Sequence, residues 1–110
     1  MENIEERLKR MEYYQSLLIQ MTIKEGFAFY HLIIEYQISE EEVVQFHKLC
    51  ENLSMEYEEL KAEKFVFFSP LYVKFKERLH PKLEPNEVIR ACLDQNLYPE
   101  LMSILLKNIS

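Results

Sequence analysis

Apolar residues recur along this chain at helical rather than alternating spacing. Near its start, Ile4, Leu8, Met11 and Leu18 keep a heptad rhythm, and Gln15 fills the position that the rhythm skips. Tyr14, Leu17 and Met21 widen the stripe. The spacing predicts a first helix from Asn3 to Lys24, capped by Asn3, with Glu5 and Glu6 in its first turn to complement the helix dipole. Such a stripe, polar at one core position, reads as a short intersubunit coiled-coil seam in which Gln15 fixes register. An amphipathic helix lying on its own core has the same pattern.

Gly26 breaks or caps that helix. The run FAFYHLIIEYQ follows, apolar almost all round, and predicts a second helix buried on most sides, with His31 as a core or interface residue. Ser39 and Glu42 form a capping box ahead of a third helix, Glu40 to Glu63, whose Val43, Phe46, Cys50, Leu53, Tyr57 and Leu60 make a second heptad seam. The KFVFF run at 64–68 cannot alternate faces and reads as a buried connector plugging the core, or else as an interface patch.

Ser69 as N-cap and Pro70 at the first helical position predict a fourth helix bearing Leu71, Phe75 and Leu79, ended by His80-Pro81. Pro85 opens a fifth, with Val88, Ile89, Cys92 and Leu93 inward, and Asn96 reads as its left-handed cap. Pro99 starts a sixth, carrying Leu101, Met102, Leu105, Leu106 and Ile109.

Composition narrows the class. One glycine in 110 residues leaves no material for Gly-rich phosphate loops or for sheets joined by tight turns. The expectation is a single all-α domain over 1–110, a compact array of five to six helices whose N-terminal helix carries a coiled-coil-like seam and makes the protein oligomeric.

Charge is uneven along the chain. Residues 1–64 hold seven Lys/Arg against fourteen Asp/Glu, whereas residues 65–110 hold six against five. The acidic half suits a basic protein partner, with Glu56, Glu58, Glu59 and Glu63 as a possible partner surface. Nucleic acid is disfavoured, since phosphate contacts need a basic surface. Only Lys74, Arg78 and Lys82 form a basic row, and the final helix is too apolar to read base edges.

The residues supply no catalytic set. There is no GxSxG, HExxH or paired ExxH, so the chain reads as a non-enzyme with no cofactor. His47 and Cys50 sit three apart on the third helix, but a structural zinc needs four ligands, so no metal site is assigned. Two separated cysteines suggest reduced thiols, and the charged N-terminus has no apolar core of a signal peptide. The longest apolar stretch, FAFYHLII, is too short to span a bilayer. A cytoplasmic location, away from membranes, is expected.

The runs GFAFYHLIIEYQISEEE, LCENLSMEYEELKAEKFVFFSPL and LDQNLYPELMSILL, taken together, resemble the YhaI-like family of small uncharacterised proteins from Bacillus and its phages. The likeness implies an all-helical domain forming a small homo-oligomer, with no assigned enzyme activity and no functional residues to carry over. The resulting expectation is a non-enzymatic protein that self-associates through Ile4, Leu8, Met11, Gln15 and Leu18 and acts by binding an unidentified protein partner. Alternatives are a phage or mobile-element inhibitor docking on a host defence or toxin–antitoxin protein, and a nucleic-acid-associated regulator using the basic row.

Overall fold

A computed structural model describes residues 2–23 and 26–109. They form six helices and, among the described residues, no strand: α1 (Ile4–Ile23), α2 (Ala28–Glu35), α3 (Glu40–Ala62), α4 (Ser69–Arg78), α5 (Pro85–Asp94) and α6 (Pro99–Lys107). Lys24, the expected end of the first helix, lies outside the described residues.

Local chemistry explains most of the boundaries. Asn3 Oδ1 accepts from the Glu6 amide at 2.8 Å, capping α1. At α3, Ser39 Oγ accepts from the Glu42 amide at 3.2 Å while Glu42 accepts from the Ser39 amide at 2.9 Å, completing the capping box. Glu84 caps α5 by accepting from the Asn86 and Glu87 amides. One start is shifted by a residue. Phe68, not Ser69, stands at the N-cap of α4, without a side-chain bond, so Ser69 is already helical.

Three helices end in the same way, each without glycine. Gln37, Lys64 and Asn96 adopt left-handed backbone at φ 55°, 63° and 58°. The amide of the following residue reaches back to the last turn: Ile38 to Ile33 O, Phe65 to Leu60 O and Leu97 to Cys92 O, at 2.8–2.9 Å. Each end is thus a Schellman motif built on a side-chain-bearing residue, at a steric cost of about 1 kcal/mol. Asn96 was legible as such a cap; Gln37 and Lys64 were not.

One core lies beneath all six helices. α5 packs against α6 and α2, α3 packs against α4 and α6, and α1 rests on α2. Phe29, Phe46 and Phe75 run through it as a chain of rings from α2 through α3 to α4, with centroids 4.9 and 6.4 Å apart. The seam expected on α3 belongs to this core: Val43, Phe46, Cys50, Leu53 and Tyr57 are buried, and Leu60 packs beside them. It therefore faces the chain's own helices rather than a second subunit.

Two expectations of burial in the core are corrected, and the interface alternative is the one that exposure leaves for each. His31 is exposed on α2, its ring against Phe27 at 4.9 Å, because Phe29, Leu32 and Ile33 take the inward face. Phe65, Val66 and Phe67 do not plug the core. The left-handed turn at Lys64 turns them outward, at 53%, 91% and 68% exposure, and only Phe68 returns, edge-on to Tyr57 at 5.1 Å.

The body is extended by α1. A radius of gyration of 15.3 Å exceeds the ~13 Å of a compact domain this size. Twenty helical residues span about 30 Å, and those before Arg10 are all exposed.

Candidate interaction surface

The two faces of α1 have different fates. Tyr13, Tyr14 and Leu17 dock it on the body: Leu17 is buried and both tyrosines pack against the core. Tyr14 donates its hydroxyl to Ile38 O at 3.1 Å, and Tyr30 on α2 donates to Gln20 Oε1 at 2.8 Å. Burial pushes the Tyr13 phenol up to about 12, so it stays protonated at any ordinary pH.

The expected seam lies on the other face. At about 100° per residue, Ile4, Leu8, Met11, Gln15 and Leu18 centre roughly 140° around the helix from the docking face. All five side chains are exposed, with Ile4 at 72%, Leu8 at 52%, Met11 at 58% and Leu18 at 50%. The structure thus brings the five together as one apolar row with a single amide in it. No residue of the chain's own core covers that row.

The acidic candidates fare differently. Glu56 is half-buried and bound to Lys74 of α4, so it braces α3 against α4. Glu58 lies 3.8 Å from Lys61, which also holds Glu100 at 2.8 Å. Glu59 and Glu63 are exposed and make no ion pair among the described residues. Glu59 stands on the last turn of α3 and Glu63 is its C-cap, just ahead of the outward Phe65–Phe67 run. That adjacency, an apolar tip beside carboxylates, was hidden from the sequence because a run of apolar residues does not announce which side it faces.

The basic row does not form. Lys74 is neutralised by Glu56, α4 ends at Arg78, and Lys82 lies beyond it past Pro81. Without a continuous helix the i, i+4 alignment is lost.

His47 and Cys50 are engaged in packing. The Tyr98 hydroxyl and His47 Nδ1 share a hydrogen bond at 2.7 Å, and burial holds the imidazole below its usual pKa. The pair ties α3 to the start of α6, and Tyr98 reaches it from left-handed backbone at φ 47°. Cys50 and Cys92 are fully buried, and burial pushes both thiols up, Cys92 to about 12. Among the described residues no group of three or more His, Cys, Asp or Glu is placed to hold a metal ion.

A cavity of about 170 Å³ opens between α2, α3 and the connector after α4, with Ile38, Phe46 and Leu83 in its floor and Glu42 and His80 at its mouth. The two groups at its mouth are engaged with each other. Partial burial raises the Glu42 pKa, but hydrogen bonds from Ser39 and His80 outweigh it and hold the carboxyl below its usual range. His80 Nδ1 accepts in turn from the Lys82 amide at 3.1 Å. The arrangement staples the start of α3 to the α4–α5 connector.

No helix among the described residues is long and apolar enough to cross a membrane. Compared with known families, the sequence matches over residues 1–110 the model described as "Protein of unknown function (DUF1878)", and the chain belongs to that family.

Proposed function

We propose that the chain is a non-enzymatic helical protein that self-associates through α1 and acts by binding another protein. The observation that carries this reading is the exposed row Ile4, Leu8, Met11 and Leu18 on a helix whose opposite face is already docked. Scattered exposed apolar side chains are ordinary, but four aligned at heptad spacing on one helix form a surface that association would desolvate. Two buried, unpaired thiols fit a reducing compartment, and we place the protein in the cytoplasm on that ground.

The self-contact is tested by Leu8→Glu with Met11→Glu. Both positions are exposed, so helix content should stay unchanged while an oligomer at tens of micromolar, read by light scattering, becomes a monomer. A wild-type monomer under those conditions sinks the reading.

A second protein would meet the Phe65–Phe67 tip, with basic residues of its own toward Glu59 and Glu63. Immobilised chain should retain such a partner at low salt and lose it when Phe67→Ser is combined with Glu59→Lys. Equal recovery on wild-type and doubly substituted chain would remove this surface from the account.

A further inference from the structure

We propose that the row on α1 meets the same row of a second copy in parallel and in register. The inference rests on the self-association proposed above and adds the direction of pairing. Set in heptads, Leu8 and Gln15 take a positions, while Ile4, Met11 and Leu18 take d. Glu5 and Glu12 then fall at e, and Arg7 and Tyr14 at g.

Charge decides the direction first. In a parallel pair a g residue meets the e residue of the next heptad on the other helix. Arg7 then faces Glu12 of the second copy, and symmetry makes this pair twice. Both side chains are exposed, and neither makes an ion pair within the chain among the described residues. Antiparallel pairing instead sets e beside e, confronting the glutamates with one another.

The amide at the core position gives the same answer. In parallel register Gln15 meets Gln15 of the second copy, and two amides can each donate to the other. Antiparallel packing sets it against an apolar d residue, leaving a desolvated amide without a partner. Tyr13 and Leu17 dock α1 from the far side, and Tyr14 at g turns its hydroxyl away to Ile38 O, so the body borders the row along one edge and leaves its five side chains exposed.

Sedimentation equilibrium on the full chain reads the association, and a Gln15→Cys variant reads its direction. Cys50 and Cys92 are fully buried, so the introduced thiol is the accessible one. Under mild oxidation this variant should run as a covalent dimer on a non-reducing gel. Glu12→Lys should weaken association about ten-fold by setting lysine beside Arg7 of the second copy. Adding Arg7→Glu should restore it. A self-associating wild type whose Gln15→Cys variant stays uncross-linked, or whose affinity is unmoved or raised by Glu12→Lys, overturns the parallel pairing and leaves self-association standing. A wild type still monomeric at tens of micromolar overturns both.

Discussion

Replacing Phe29 with alanine is expected to remove about 3–5 kcal/mol of stability. Its ring is 1% exposed and stacked on Phe46, which in turn meets Phe75 edge-on, so one truncation opens a void where α2, α3 and α4 converge. A domain of this size holds on the order of 5–15 kcal/mol in all. The variant should melt well over 10 °C lower by circular dichroism, given at least about 4 °C per kcal/mol. Phe29→Leu should recover most of the loss, because it restores apolar volume without the ring. A Phe29→Ala chain melting within a few degrees of wild type would show that the three-ring line does not carry the core.

Gly26→Ala should cost far more than a single added methyl group ordinarily does. The residue sits at φ +73°, where any side chain is strained by about 1–3 kcal/mol. A Cβ there would also stand 2.6 Å from the Asp94 carbonyl oxygen and 3.6 Å from the Gln95 Cα, both backbone atoms at the end of α5. The strain and the contact are separable. Asparagine tolerates left-handed backbone, so Gly26→Asn would recover if φ alone mattered. Because the Cβ itself collides, Gly26→Asn should lower the urea midpoint nearly as far as Gly26→Ala. Recovery by asparagine would mean that α5 can yield.

The fold was legible wherever a local rule had a physical reason to dominate. The caps at Asn3 and Ser39, the prolines opening α5 and α6, and the left-handed Asn96 are short-range arrangements that tertiary packing had no cause to override. The row from Ile4 to Leu18 was legible as a face, and its exposure follows from a choice that the sequence leaves open: Tyr13, Tyr14 and Leu17 compete for the same core, and it is they that pack against it.

Long-range facts stayed hidden. Nothing local says that Lys64 accepts positive φ and throws Phe65–Phe67 outward, that Glu56 is spent on Lys74, or that His31 faces solvent. Nor could spacing reveal that the partner of Gly26 is a carbonyl nearly seventy positions away.

The helix ends at Gln37, Lys64 and Asn96 bear on how far sequences in this family can drift. Each already holds the backbone geometry that glycine adopts without strain, so glycine can enter at any of the three with the turn unchanged. Gly26 admits no reverse exchange, since its missing Cβ is the space that the Asp94 carbonyl fills. A sequence with glycine at all four positions and this chain with one can therefore share these reversals of direction. Position 26 then differs in kind from those three, because its backbone demands glycine where theirs merely admits it.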